Sequence, residues 1–100
     1  MPYAYEMKNH WNIVLYDYDK VCIPGTIRTH DVGRKGHNQR MTCKSKGSKK
    51  WITFSWHIAK SDVKVIKHGD YHTLQAVEPS TEKILRNVRQ KYGAIKIVRP

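Results

Sequence analysis

The chain has 100 residues, of which 39% are apolar and 10% aromatic. That length predicts a single domain over residues 1–100 and leaves little room for a separate catalytic lobe. The apolar and aromatic content is enough for a modest core, which excludes wholesale disorder. The 19 lysines and arginines outnumber the 8 acids, so the net charge is +11. Such a surplus favours a polyanionic partner, above all nucleic acid, because neutralising phosphates releases condensed counterions.

The positive charge lies in two blocks, one central and one C-terminal. Residues 1–31 carry a net charge of −1, residues 32–61 carry +8 with no acid, residues 62–78 carry −1 and residues 79–100 carry +5. A tract as basic as the central block is a disordered tail, a solvated surface or the binding face of a folded domain. The pattern of its apolar residues decides among these three.

The two cysteines, Cys22 and Cys43, are too few to predict a disulfide framework. No apolar run is long enough for the core of a signal peptide or for a membrane-spanning segment. We therefore expect reduced cysteines, a cytoplasmic location and no membrane partner.

The first predicted elements are strands. Residues 11–23 read as two apolar strands around a turn near Asp17–Lys20, because Val, Ile and Tyr favour strands. Pro24–Gly25 interrupts the second strand, which resumes over residues 26–29. Glycines and an asparagine then predict a loop over residues 30–38.

The central basic tract predicts a β-hairpin. Residues 39–45 and 51–58 both alternate between polar and apolar side chains, and Gly47–Ser48 suits a two-residue turn between them. One antiparallel register satisfies both alternations; it sets Lys44 opposite Trp51, Thr42 opposite Thr53, Arg40 opposite Ser55, Cys43 opposite Ile52 and Met41 opposite Phe54. The tract is therefore predicted to be, in part, a hairpin with one cationic face, and not a tail.

The C-terminal half predicts two more strands, a helix and a final strand. The strands cover residues 62–67 and 71–77 and are joined at His68–Gly69–Asp70. The helix is predicted within residues 78–93, and residues 94–100 add the last strand. The apolar stripe of the helix is Ile84, Leu85, Val88 and Tyr92. This order predicts an α+β fold: a small antiparallel sheet or five-stranded SH3-like barrel with one C-terminal helix.

The cationic face of the hairpin is the strongest candidate for a binding site. Its predicted phosphate contacts are Arg40, Lys44, Lys46, Lys49 and Lys50. Trp51 shares this face, where an exposed tryptophan is costly unless something covers it. Two interpretations stay open: the ring stacks on a base or sugar, or the helix or the N-terminal segment packs over it.

Two other segments extend the candidate site. In the loop of residues 29–40, Arg34 and Lys35 could bind a phosphate together with backbone amides freed by the glycines. On the polar side of the helix, Arg86 and Arg89 belong to the second basic block and are predicted to contact phosphates as well.

The six histidines raise the hypothesis of a metal site. A Cys₂His₂ set can be written from Cys22, His30, His37 and Cys43. Its spacings match no usual zinc finger, which pairs its ligands at short intervals. We therefore expect neither a metal nor a cofactor.

A metal-free ribonuclease needs a general base, a general acid and cations, and His37 or His57 beside the cationic hairpin would suffice chemically. The stretch GRKGHNQRMTCKSKGSKKWITFSWH, about a quarter of the chain, also resembles the glycine–histidine, strand, hairpin, strand, histidine segment of HicA-type mRNA interferases. The resemblance implies a catalytic role for His37. That family begins with a helix, and its C-terminal helix follows the hairpin sooner, so we assign no family.

Taken together, these patterns predict a non-enzymatic protein that grips DNA or RNA phosphates through the hairpin face and the basic helix. Two alternatives stay open. One is an interaction protein or inhibitor, of a kind common among virus-encoded proteins, that docks on an acidic protein surface. The other is a small metal-independent ribonuclease that uses His37.

Overall fold

The computed structural model describes residues 1–32 and 37–100. Its strands are β1 (Tyr3–Glu6), β2 (His10–Val14), β3 (Arg28–Val32), β4 (Asn38–Lys44), β5 (Trp51–Ala59), β6 (Val63–His68), β7 (Tyr71–Ala76) and β8 (Lys96–Val98). A short helix α1 spans Tyr18–Val21, a 3-10 turn spans Lys60–Asp62, and the main helix α2 spans Pro79–Tyr92. The predicted strand pair β6–β7, the long helix and the final strand are confirmed.

Six strands form one open sheet in the order β3-β4-β5-β2-β1-β8, and β6 and β7 form a separate antiparallel pair. Among the described strand pairs of the large sheet, β1 and β8 run parallel and the others run antiparallel. The chain is thus a small α+β domain, as predicted. The five-stranded SH3-like barrel is wrong, because β3 and β8 lie at opposite edges of the sheet and do not pair.

The main core lies between one face of the large sheet, α2 and the β6–β7 pair. Its buried members are Ala4, Trp11, Ile13, Ile58, Val63, Leu74, Ile84, Leu85 and Val88. Burial of this much apolar surface is the dominant stabilising contribution in a domain of this size. The prediction that Ile84, Leu85 and Val88 form the packing side of the helix is confirmed.

The ends of α2 follow from local sequence. Pro79 occupies the first turn, where its missing N–H would have no helical partner in any case. Gly93 ends the helix with a φ of +97°, a conformation that side chains with a Cβ rarely adopt. Its N–H donates to the carbonyl oxygen of Arg89 at 3.0 Å, which satisfies one of the last helical acceptors.

The register of the β4–β5 hairpin agrees with the prediction near the turn and departs from it further along. Lys44 pairs with Trp51, Cys43 with Ile52 and Thr42 with Thr53, as predicted. A bulge then shifts the register by one residue, so that Met41 pairs with Ser55 and Arg40 with Trp56. The predicted pairs of Arg40 with Ser55 and of Met41 with Phe54 are therefore wrong.

The bulge has a physical reason in the packing of β5. Strict alternation would place Ile52, Phe54, Trp56 and Ile58 on one face. In the structure, Ile52 and Phe54 pack with Cys43 in a small second cluster, whereas Trp56 and Ile58 pack in the main core against α2. The extra residue lets one strand supply apolar side chains to both faces of the sheet.

The prediction of two strands within residues 11–23 is half wrong. The first strand exists as β2, but Tyr18–Val21 forms the one-turn helix α1. The side chain of Asp17 accepts a hydrogen bond from the N–H of Asp19 at 3.1 Å, which caps this turn. Such local capping by an aspartate competes with strand pairing and outweighs the strand preference of the apolar residues here.

The two cysteines form a disulfide between Cys22 and Cys43, so the expectation of reduced cysteines is wrong for this structure. Both residues are buried, and they pack with Phe54 in the second cluster. Backbone hydrogen bonds reinforce the link: the N–H of Ile23 donates to the carbonyl oxygen of Lys44 at 2.9 Å. The segment after α1 is thereby held against the base of the β4–β5 hairpin.

Two differences concern the sheet edges. The strand expected at residues 26–29 lies later, as β3, and takes up the start of the predicted loop at residues 30–38 by pairing with β4. The N-terminal strand β1, for which the sequence indicated no element, pairs with both β2 and β8. Glu6 at its end forms salt bridges with Arg99 at 3.1 Å and with Lys60 at 3.3 Å.

Candidate nucleic-acid interface

A groove of about 630 Å³ lies between α2 and the face of the β4–β5 hairpin that carries Trp51. The hairpin forms one wall and α2 forms the other. We call it the basic groove, and its principal side chains are the aromatic residues Tyr16, Trp51, Trp56 and Tyr92 and the cations Arg40, Lys83 and Lys91. Among the described residues, no aspartate or glutamate lines it.

Trp51 lies at one end of the basic groove and is 42% exposed. The guanidinium carbon of Arg28 lies 4.2 Å from the centroid of its ring, and the ammonium nitrogen of Lys44 lies 5.7 Å from it. The two cations belong to β3 and β4. The groups that partly cover the ring are therefore these cations, whereas the sequence had suggested the helix or the N-terminal segment. A large part of the ring stays open to the groove.

The side chain of Arg28 was not foreseen as part of the site. Arg28 pairs with Thr42, so its side chain shares a face of the sheet with Lys44 and Trp51. In the sequence, Arg28 is a cation within a predicted strand that precedes the basic hairpin. Which face of the hairpin this cation shares is decided only by the pairing of β3 with β4.

The other end of the basic groove is closed by two tyrosines. The rings of Tyr16, which follows β2, and Tyr92, at the end of α2, meet edge to face with centroids 5.7 Å apart. A hydrogen bond with Tyr92, together with partial burial, raises the pKa of the Tyr16 phenol above its usual range. The Tyr16 phenol therefore remains neutral at physiological pH.

The cations proposed from sequence fall into separate groups. Arg40 lines the basic groove, and Lys44 lies at Trp51. Lys46, Lys49 and Lys50 lie exposed at the turn of the hairpin, where the Nζ of Lys46 donates to the carbonyl oxygen of Asp19 at 3.0 Å. These lysines adjoin the Trp51 end of the groove because β5 begins directly after them.

The remaining candidates do not join the groove. Arg86 is exposed on α2 but does not line it, whereas Lys83 and Lys91 on the same helix do. Arg89 points to the β6–β7 pair, where its Nη2 donates to the carbonyl oxygen of Leu74 at 2.6 Å. Arg34 and Lys35 lie outside the described residues.

A buried polar network joins the start of β4 to the start of α2. Asp62 is 2% exposed, and its carboxylate oxygen Oδ1 lies 3.3 Å from Nδ1 of His37. The side-chain amide of Asn38 reaches both Thr81 and Asp62; in the orientation that satisfies both, its nitrogen donates to Asp62 Oδ2 at 3.2 Å and its oxygen accepts from the Thr81 hydroxyl at 3.2 Å. The network fixes α2 relative to the hairpin and thereby sets the position of the groove walls.

His57 lies on the opposite face of the sheet from α2, where its ring stacks on that of His10 with centroids 4.7 Å apart. Burial lowers the pKa of His57, and the neighbouring His10 lowers it further. His57 is therefore neutral at pH 7. Its position away from the basic groove gives it no part in the candidate site.

The histidines and cysteines do not assemble into a metal site in the described part of the chain. Cys22 and Cys43 are joined to each other, and no group of three or more His, Cys, Asp or Glu side chains is placed to hold an ion among the described residues. None of the described helices is both long and apolar enough to cross a membrane.

Comparisons with known proteins found no matching family model, no similar curated protein and no similar solved structure.

Proposed function

We propose that this protein binds nucleic acid in the basic groove, without cleaving it. The observation that carries the proposal is the combination of a partly exposed Trp51 with cations on both walls, Arg40 on the hairpin and Lys83 and Lys91 on α2. Cations attract the phosphate backbone, and an exposed aromatic ring offers a stacking surface to any base. A single ligand that carries both groups, phosphate and base, matches both features.

The division of roles follows from position. Lys83 and Lys91 lie two turns apart on α2, so both can meet one phosphate backbone that runs along the helix. Arg40 faces them from β4. Trp51, whose ring is already contacted by Arg28, offers the remaining ring surface to a base at the end of the groove. The turn lysines Lys46, Lys49 and Lys50 would extend the backbone contacts beyond that end.

The test is a binding titration with single-stranded and double-stranded DNA and RNA at two salt concentrations. We expect affinity to fall steeply with salt, because each phosphate contact releases a counterion. The variant Lys67→Ala is the matched control, since Lys67 is exposed on β6 and does not line the groove. Binding of none of the four nucleic acids would contradict the proposal and favour an acidic protein surface as the partner.

A second candidate function is ribonuclease activity at His37, and one observation favours it. Nδ1 of His37 lies 3.3 Å from the carboxylate of the buried Asp62, an arrangement that orients an imidazole for proton transfer. The same titration tests it through the integrity of the RNA. Cleavage that is lost in His37→Ala would establish the second function; intact RNA after prolonged incubation with the wild-type protein would exclude it.

The cytoplasmic location remains a prediction that the Cys22–Cys43 disulfide brings into question, because disulfides persist mainly in oxidising compartments. Alkylation of the thiols at the moment of cell lysis, followed by mass measurement, tests it. A cytoplasmic protein should carry two alkyl groups, and a protein from an oxidising compartment should carry none.

A further inference from the structure

The face of the large sheet turned away from α2 carries a second pocket, of about 480 Å³. Tyr3 and Tyr5 point to this face because they alternate along β1 with Ala4, which is buried in the main core. Tyr18 of α1 and Phe54 at the bulge of β5 add two more rings. We call this the tyrosine pocket, and it lies on the opposite side of the sheet from the main part of the basic groove.

Four rings of the tyrosine pocket form two close pairs, and three of them are partly open to solvent. The centroids of Tyr3 and Tyr5 lie 6.1 Å apart, and those of Tyr18 and Phe54 lie 6.2 Å apart. Tyr3, Tyr5 and Tyr18 are 37%, 40% and 51% exposed. A concave cluster of exposed aromatic rings is a costly surface to leave in contact with water, and such clusters commonly mark binding sites.

The tyrosine pocket differs in charge from the basic groove, and Met1 also contributes to its lining. Asp17 is the one charged side chain among its described lining residues, and no lysine, arginine or histidine lines it, although the chain as a whole carries a net charge of +11. The Oδ1 atom of Asp17 caps α1, and no described residue hydrogen-bonds to its Oδ2. A carboxylate beside electron-rich ring faces repels phosphate and attracts a cation.

We propose that the tyrosine pocket binds a small quaternary ammonium ion. This site is separate from the proposed nucleic-acid groove, and the proposal does not depend on nucleic-acid binding. The positive charge of such an ion is spread over methyl groups, which pack against aromatic faces and need no hydrogen-bond acceptor. The rings of Tyr3, Tyr5 and Tyr18 supply those faces. The carboxylate of Asp17 supplies the counter-charge at the rim.

Choline and its neutral isostere 3,3-dimethylbutan-1-ol form a direct pair of probes. They share shape and hydroxyl group, and they differ in the positive charge. We expect choline to cause saturable NMR shifts in the amides of Tyr3, Tyr5 and Asp17. The affinity of the neutral alcohol should be lower by a factor of about ten or more, because the alcohol lacks the cation–π and carboxylate attraction. Equal affinities for the two probes, or no saturable shift with choline, would overturn the proposal.

Variants separate the ring faces from simple apolar contact. Tyr5→Leu should weaken choline binding several-fold, whereas Tyr5→Phe should retain it because the ring remains. Asp17→Asn should weaken choline and leave the neutral alcohol unchanged. The matched control is Tyr71→Leu, which removes an exposed tyrosine from β7 outside the pocket; Tyr71 is 58% exposed and Tyr5 40%. Loss of choline binding in Tyr71→Leu as large as in Tyr5→Leu would overturn the proposal, and Tyr5→Phe and Asp17→Asn keep it testable if Tyr5→Leu does not fold.

Discussion

At the level of single residues, two arginines of α2 show that the surroundings of a side chain, and not its type alone, decide what it contacts. Arg86 and Arg89 lie three positions apart on α2 and look alike in the sequence. Arg86 is exposed, whereas Arg89 is half-buried and donates to the carbonyl oxygen of Leu74 at 2.6 Å. Arg89 thus makes a contact within the protein and Arg86 is solvated, a difference that the sequence does not reveal. That both arginines contact phosphates stays a prediction.

The two arginines predict different effects on stability. Arg89→Ala leaves the Leu74 carbonyl oxygen without its charged donor, and should lower the free energy of unfolding by about 1–3 kcal/mol. Arg86→Ala is the matched control and should change it by less than about 0.5 kcal/mol. Urea denaturation followed by circular dichroism measures both values. Equal effects of the two variants would show that the contact with Leu74 contributes nothing.

A second residue-scale prediction concerns His57 and acid. Because its pKa in the folded protein lies below the usual 6.5, the unfolded chain takes up the proton first as the pH falls. The stability that His57 contributes is thus complete above about pH 6.5 and is lost as the pH falls below that value. NMR titration of the ring should give a pKa under 6.5, and His57→Gln should flatten the acid side of the stability curve. A pKa at or above 6.5 would contradict the assigned burial.

At the scale of elements, the Cys22–Cys43 disulfide connects α1 to the hairpin that carries Trp51. The cysteines are 21 positions apart, and closing a loop of this size typically stabilises a protein by about 2–4 kcal/mol. The N–H of Lys46 also donates to the carbonyl oxygen of Val21 at 2.7 Å. The position of the turn lysines therefore depends on the contact between the hairpin and the segment that contains Cys22. The geometry of the hairpin turn is therefore linked to the oxidation state of the two cysteines.

Reduction should consequently destabilise the protein. We expect dithiothreitol to lower the free energy of unfolding by about 2–4 kcal/mol in the wild type. The double variant Cys22→Ala, Cys43→Ala serves as the control, because it should start less stable and show no further response to the reductant. Urea denaturation with and without dithiothreitol distinguishes the two. An identical midpoint for the oxidised and reduced wild type would mean that the link carries no stability.

Elements governed by local pattern could be predicted from the sequence. The turn end of the β4–β5 hairpin and the buried stripe of α2 follow from alternation and from helical spacing, which involve neighbouring residues only. The bulge at Phe54 could not be predicted, because it depends on contacts with the distant Cys22 segment. The prediction of an SH3-like barrel was wrong because it also needed long-range information. Whether a sheet closes depends on which strands lie at its edges, and the sequence of β1 did not indicate a strand.

At the scale of the whole molecule, the proposed interface depends on two distant segments. The hairpin wall comes from the central basic block and the helix wall from the C-terminal block, so the two charge maxima of the sequence meet across one groove. Only half of this site was accessible from the sequence. The cations of the hairpin face and Trp51 could be identified by alternation, but the pairing of that face with Lys83 and Lys91 requires the packing of α2.

The placement of charge over the molecule is also uneven in a way that composition conceals. The basic groove and the tyrosine pocket share the residues Leu15 and Tyr16 at one border. Three cationic side chains line the groove, whereas the one charged side chain among the described residues of the pocket is that of Asp17. The two proposed sites would thus take ligands of opposite charge on opposite surfaces of one small sheet. The net charge of +11 alone therefore does not say which face of the molecule carries the cations.

The most direct test of the basic groove is the salt dependence of binding to a single-stranded oligonucleotide by Trp51→Ala, Lys83→Ala and the control Lys67→Ala. Lys83→Ala should reduce the logarithmic salt slope by about 0.7, since it removes one phosphate contact. Trp51→Ala should cost about 1–3 kcal/mol of binding and leave the slope nearly unchanged, since it removes stacking. Lys67→Ala should bind as the wild type does. Wild-type affinity and slope in both Trp51→Ala and Lys83→Ala, with the variants folded, would contradict the assignment of the groove as the binding site.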